Sequence, residues 1–252
     1  MIDASAGPAA RAFRTAMQRL AAVVPGSLHQ VAPGGTLLAF TGSQIPLLNT
    51  VMSVSSQPDT GEMVALVEKA AQFPRSVPWT IRLRGEATEE LERIAGDYGL
   101  RAQPQPFMVA PLTGGLPDRP NSPIVRRIAG DEYETFAKTL GAAFGAPPFI
   151  ISDLYRPAVL DAREITAYLA EVGGIAVAAG LGVVTDGHLG LINIATRPEY
   201  RRLGHGRELT ETIMRDGRVA GAHTAYLHPS LEAERLFESA GFRTVEDWTL
   251  FA

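Results

Sequence analysis

The chain has 252 residues, 46% of them hydrophobic and 20% charged, with a net charge of −4. That suffices for one large domain or two small ones with a real core, and the acidic balance argues against a general nucleic-acid binder, which needs a basic face. There is no cysteine, so disulfides, thiolate metal sites and cysteine nucleophiles drop out together. No apolar run approaches the roughly 20 residues of a membrane helix. Residues 1–14 are Ala-rich, but Asp3, Arg11 and Arg14 leave no apolar core of signal-peptide length, and the cytoplasm is the expected location.

Phe13, Met17, Leu20 and Val24 recur at helical spacing, and Pro25-Gly26 ends that helix. The apolar runs 36–41 and 47–54 predict two strands. Met63, Leu66, Val67 and Ala70 predict an amphipathic helix that ends near Pro74. A strand follows at 79–83, then a helix on Leu91, Ile94, Ala95 and Tyr98 stopped by Gly99, then a strand at 107–110. The stretch PLTGGLPDRPNSP at 111–123 is dense in Pro and Gly and has almost nothing to bury. It divides the chain into a first domain of residues 1–112, a linker of 113–123 and a second domain of 124–252.

The second half starts with a strand at 125–128. A helix on Tyr133, Phe136, Ala137 and Leu140 follows, with Asp131 as its cap, and then a short helix at 147–154. Strands at 166–172, 175–184 and 188–196 are separated by Gly173-Gly174 and Asp186-Gly187. Both separators are hairpin chemistry, so the three strands are antiparallel neighbours. A helix from about 203 to 219 and a strand at 224–227 come next. Ser230 can cap a helix striped by Ala233, Leu236, Phe237 and Ala240, which Gly241 stops and Phe242 seals. A strand at 248–251 closes the sheet. Both halves end in the order strand, helix, Gly plus apolar residue, strand. The class is α/β (α+β).

The chemistry concentrates in INIATRPEYRRLGHGRE, residues 192–208. Pro198 stops a strand, and Gly204 and Gly206 stand where the next helix begins. Glycines there let backbone N–H groups approach an anion, and the helix dipole adds to the attraction. Arg197, Arg201, Arg202 and Arg207 surround them. Such a site suits a phosphate or diphosphate. A dinucleotide fold would need a third glycine where Leu209 stands, and a parallel unit where the strands read antiparallel. A nucleotide-triphosphate loop would need Gly-Lys-Ser/Thr, which is absent.

Arg201, Gly204 and Gly206 match the signature Gln/Arg, two residues, Gly, one residue, Gly/Ala. With residues 194–198 before it and Ala233, Leu236 and Gly241-Phe242 after it, the stretch from 124 to 252 resembles the GNAT superfamily of acyl-CoA-dependent N-acetyltransferases. The resemblance implies a mixed, mostly antiparallel twisted sheet flanked by helices, and the first half looks like a degenerate GNAT-like domain in tandem. It implies acetyl-CoA as cosubstrate and a small-molecule amine as acceptor, with direct attack in a ternary complex. By the same resemblance, the N–H groups of Arg202, Leu203, Gly204, His205, Gly206 and Arg207 hold the pyrophosphate, beside Arg201 of the signature. Ile194 and Thr196 pair with pantetheine, strand 224–227 splays away, and an N–H near Ala195 steadies the oxyanion.

The chain departs from that pattern at Phe237, where many members carry a Tyr that protonates the leaving thiolate, and at Ser230, where many carry Asn. A thiol pKa of about 8.5 makes the thiolate only modestly basic, which leaves Ser230 or water as proton source. Residues 190–194 offer no Glu as base, only Asn193. Phe237 keeps an alternative open: a weak or inactive GNAT-like protein that binds CoA or a small ligand as a sensor. His188, His223 and His228 lack metal-ligand spacing, and neither nucleic acid nor membrane is an expected partner. In the first half the corresponding turn SSQPDTG, residues 55–61, has one glycine, no Arg and the acidic Asp59, a poor anion cradle.

Overall fold

The computed structural model describes residues 6–113 and 124–252; beyond residue 113 the expected linker lies outside them. Two compact units result, one of residues up to Phe107 together with Thr244–Ala252, the other Met108–Arg243. No helix among the described residues is long and apolar enough to cross a membrane.

The first unit opens with α1 (Ala6–Val23), which buries Ala9, Phe13, Ala16, Met17 and Leu20 along one stripe. It continues with β1 (Leu28–Val31), β2 (Leu37–Phe40), β3 (Asn49–Ser53), α2 (Thr60–Ala70), β4 (Thr80–Arg84), α3 (Glu89–Asp97) and the first part of β5 (Ala102–Pro111), whose residues from Met108 on belong to the second unit. β1, β2 and β3 pair antiparallel, and β3 pairs parallel with β4. The core joins Leu38, Phe40 and Val51 of the sheet to Met63, Leu66 and Val67 of α2 and Leu91 and Ile94 of α3. β1 is an addition to the elements read from sequence. It is a largely exposed strand with no apolar run, and exists because its backbone pairs with β2.

The second unit contains β6 (Ile124–Ile128), α4 (Tyr133–Phe144), α5 (Pro148–Leu154), α6 (Pro157–Leu160), β7 (Ile165–Val172), β8 (Ile175–Thr185), β9 (His188–Thr196), α7 (His205–Val219), β10 (Thr224–Leu227) and α8 (Glu234–Ser239). β7 to β9 form the expected antiparallel meander, and β6 extends it by pairing antiparallel with β7. Its turns at Gly173-Gly174 and Asp186-Gly187 have positive φ at both central residues, as tight hairpins require. β10 lies parallel to β9 and antiparallel to residues 108–111 of β5. α7 covers this sheet with Leu209, Ile213 and Met214, packed among Met108, Leu189 and Ala225.

Two expected caps are corrected. Asp131 lies within a 3-10 turn, Gly130–Glu132, and α4 starts without a side-chain cap. The carboxylate that serves this turn is Asp161, which accepts the Gly130 N–H at 2.7 Å. α8 starts at Glu234 with Ala233 at its N-cap. The Ser230 carbonyl accepts the Ala233 N–H at 2.9 Å, so an extra turn separates Ser230 from the helix. The helix stop is as expected: Gly241 has φ 94°, and the Phe242 N–H reaches the Phe237 carbonyl at 3.0 Å.

The last strand, β11 (Arg243–Phe251), pairs antiparallel with β4 from Trp248↔Arg84 to Phe251↔Ile81. It therefore completes the first unit, where the order of elements had it closing the second half. Its side chains explain the choice. Trp248, 1% exposed, meets Phe13 and Phe107 with ring centroids at 5.8 and 5.2 Å. Glu246 accepts the Trp248 indole N–H at 2.8 Å and pairs with Arg84 at 2.8 Å. Trp248→Ala is expected to cost about 3–5 kcal/mol, as a buried aromatic does. Denaturant unfolding measures it, and a cost under about 1 kcal/mol would contradict this placement.

Candidate active site

The site begins where two strands part. β10 pairs with β9 from Thr224↔His188 to Tyr226↔Gly190. β10 ends at Leu227, whereas β9 continues to Thr196, so a slot opens beside Leu191–Thr196. Gly190 permits the last rung: a Cβ there would meet the Tyr226 hydroxyl at 2.7 Å.

The ladder to β8 decides which backbone groups face the slot. The Arg197 N–H donates to the Val177 carbonyl at 2.9 Å. In an antiparallel ladder bonded residues alternate, so Ala195, opposite Ala179, also turns its N–H to β8. The groups of Ile194 and Thr196 face the other way, and the Thr196 carbonyl accepts from Arg201 Nε at 3.2 Å. The N–H expected from Ala195 at the slot is thus committed to β8, and the N–H groups of Ile194 and Thr196 are the ones that face the slot.

Between Ala195↔Ala179 and Ile192↔Leu181 the register slips by one residue. The slip is a bulge at Asn193, whose φ is 54°. The Asn193 amide donates to the Tyr155 hydroxyl at 2.5 Å. Tyr155 is fully buried, and burial pushes its phenol above the usual tyrosine range.

After β9 a 3-10 turn, Pro198–Tyr200, leads to Arg202 at φ 66° and Gly204 at φ 89°, the N-cap of α7. The first bond of α7 runs from the Glu208 N–H to the Gly204 carbonyl at 3.0 Å. The N–H groups of residues 202–207 have no acceptor among the described residues. Gly206 lets helix and strand approach: a Cβ there would sit 3.0 Å from Thr196 Oγ1. This run of donors at a helix N-terminus is what an anion needs.

The arginines divide differently from the sequence reading. Arg201 spends its guanidinium on the carbonyls of Thr196 and, at 2.8 Å, Ala143. It ties the end of β9 to α4. Arg207 pairs with buried Glu211 at 2.7 Å. Arg197 pairs with Glu199 at 2.6 Å and lies over the Tyr200 ring. Of these, Arg202 alone has no ion pair or hydrogen bond among the described residues. Arg235 of α8, which the sequence reading passed over, also lines the cleft. Only its position one turn into the helix after Ser230 could have flagged it.

The cleft has a volume of about 540 Å³. It gathers Ile194, Ala195 and Thr196 from β9, Arg201, Arg202, Gly204, His205, Gly206 and Arg207 from the turn, and Ser230. Leu203, 65% exposed, does not line the cleft. Phe237 lies elsewhere, 5% exposed in the core with its ring edge-on to Phe242.

The corresponding place in the first unit is closed. β3 and β4 stay paired from Thr50↔Thr80 to Ser53↔Leu83, the last residue of β3. The Asp59 carboxylate caps α2 by accepting the Glu62 N–H at 3.0 Å, and a carboxylate there repels an anion.

The sequence profile of the acetyltransferase (GNAT) family matches residues 131–242. No curated protein matches the chain. Among solved structures, a GCN5-related N-acetyltransferase from Kribbella flavida is similar at 20% identity, covering 95% of this chain and 94% of its own with a TM-score of 0.67. A functionally unknown conserved protein from Staphylococcus epidermidis is similar at 13% identity over 90% and 93%, with a TM-score of 0.62. A GCN5-related N-acetyltransferase from Sphaerobacter thermophilus is similar at 18% identity over 97% and 92%, with a TM-score of 0.58. At these identities the likeness is one of fold, and it extends through the first unit, which is GNAT-like as well. The match to the GNAT acetyltransferase family lies within the second unit, the one with the cleft, and supports an acyltransferase domain there.

Gly204→Val would force a β-branched residue into the left-handed region. CoA affinity is expected to fall at least about tenfold, or about 1.4 kcal/mol, by isothermal titration calorimetry. Unchanged affinity would place the anion site elsewhere.

Proposed function

We propose that the second unit moves the acetyl group of acetyl-CoA to a primary amine of a small molecule. The observation that carries this reading is the run of N–H groups at 202–207, without acceptors among the described residues, beside the edge of β9 past Gly190. The first suits a pyrophosphate, and the second suits an extended amide-bearing arm that pairs with Ile194 and Thr196 as a strand would. Acetyl-CoA supplies the acyl group as a thioester. Arg202 and Arg235 add positive charge to the cleft. Arg201 acts at one remove, by holding the Thr196 carbonyl.

The acceptor amine attacks the thioester carbonyl directly, in a ternary complex. An N–H of Ile194 or Thr196 stabilises the charge that grows on the carbonyl oxygen. The C–N bond forms as the C–S bond breaks; the amine's proton passes to water, and the leaving sulfur takes one from water directly or through Ser230, which water reprotonates. Asn193 cannot serve as base, because an amide is not basic at neutral pH. The burial of Phe237 favours a second reading, a protein that binds CoA or a small ligand as a sensor with little or no turnover. Each unit would have its own part in either case, the first with its closed cradle taking a structural one.

Calorimetric titration with acetyl-CoA is expected to give one site per chain with micromolar affinity, about −8 kcal/mol. Absence of binding would overturn the transferase reading and leave the sensor reading only for a ligand other than CoA. CoA release with a panel of amines separates them, since turnover above hydrolysis excludes the sensor. Phe237→Tyr is expected to bury an unsatisfied hydroxyl, cost about 1–3 kcal/mol in stability and leave the transfer rate no faster. A faster rate would put this position back at the leaving group.

A further inference from the structure

The bulge in β9 changes what its backbone presents. With a regular ladder, Leu181↔Ile192 would be followed by Ala179 opposite Ile194, and the Ile194 N–H would be consumed by β8. The extra residue puts Ala195 there instead. A one-residue slip reverses the facing of everything after it, so the Ile194 N–H is released toward the slot.

That arrangement needs support. A non-glycine residue in the left-handed region costs about 1–2 kcal/mol, and such a residue persists where its surroundings over-determine it. Two neighbours do so for Asn193. Opposite it on β8, Gly180 has no room for a Cβ, because the Ile194 side chain crosses that space. From the end of α5, the Tyr155 hydroxyl accepts the Asn193 amide proton at 2.5 Å. Tyr155 is itself immobile: it is fully buried, its ring stands edge-on to Phe136 at 5.4 Å, and its N–H is bonded to the Ile151 carbonyl. Neither Asn193 nor Tyr155 lines the cleft, so their bond acts on the site through the backbone.

We infer that the Asn193–Tyr155 hydrogen bond is a positioning device, which locks the bulge so that the Ile194 N–H meets the carbonyl of the bound acyl group. The inference rests on the reading of the second unit as an acetyl-CoA site. It makes Asn193 and Tyr155 positioning residues. The link runs from a buried phenol, through a strained residue, to one amide proton.

The test is carbon-13 NMR of acetyl-CoA labelled at the acetyl carbonyl, bound to the full chain. A hydrogen bond polarises the carbonyl, so its resonance is expected to move downfield on binding. In Tyr155→Phe, which keeps the ring, it should return toward the free position at saturating acetyl-CoA, where binding is verified separately by calorimetry. Asn193→Gly relaxes the backbone but removes the tie, and should do the same. Asn193→Asp lets the Tyr155 O–H donate to the carboxylate, and should restore the wild-type shift. With an accepted amine, the rate in Tyr155→Phe should fall at least about tenfold. An equal downfield shift in wild type and Tyr155→Phe, or no shift in wild type despite binding, overturns this inference alone. Failure of wild type to bind acetyl-CoA overturns both this and the reading it rests on.

Discussion

A sheet cannot leave backbone donors and acceptors idle in its middle without a reason, because each unpaired group forfeits a hydrogen bond. The second unit leaves them idle along β9 past Gly190, where β10 turns away. The rest of the site follows from that parting. The slot has one wall of backbone, its far end is fixed by Arg201 on the Thr196 carbonyl, and the chain leaving it enters a helix start with free N–H groups. In the first unit the same order of elements stays zipped to the end of β3, and its helix is capped by its own Asp59. Two units of one fold differ in whether a parallel pair separates.

The charge distribution supports a cradle of backbone rather than of side chains. The sequence places four arginines near Gly204 and Gly206, but three of them are engaged by the protein, with carbonyls, Glu211 and Glu199 as partners. An anion there is met first by amide groups fixed in direction, which lose little entropy on binding. The engaged arginines hold the strand end, helix and turn that aim those amides.

Much of this was legible in the sequence because it is local. Helix faces repeat every three to four residues, and Gly173-Gly174 and Asp186-Gly187 name their turns, so the meander and the main helices could be read. Gly204 and Gly206 could be read because the left-handed N-cap and the close approach of helix to strand both need a glycine. What was not legible depends on partners distant in the chain. β1 is made by pairing with β2 and has no pattern of its own. The destination of β11 is set by Trp248 against Phe13 and Phe107. The bulge at Asn193 needs Gly180 and Tyr155, and it alone decides that Ile194 rather than Ala195 faces the slot. Asp131 and Ser230 have the right chemistry for caps, but the chain makes an extra turn at each place.

The route of the chain also orders events during synthesis. The second unit is one continuous stretch, Met108–Arg243, whereas the first unit includes Thr244–Ala252. Domains generally fold as the chain emerges, N-terminal first. Here the earlier-made unit lacks the strand that pairs with β4 until residues 244–252 are released. The unit that carries the cleft has its whole sequence available before the one that precedes it, and for the interval between them β4 waits with an open edge.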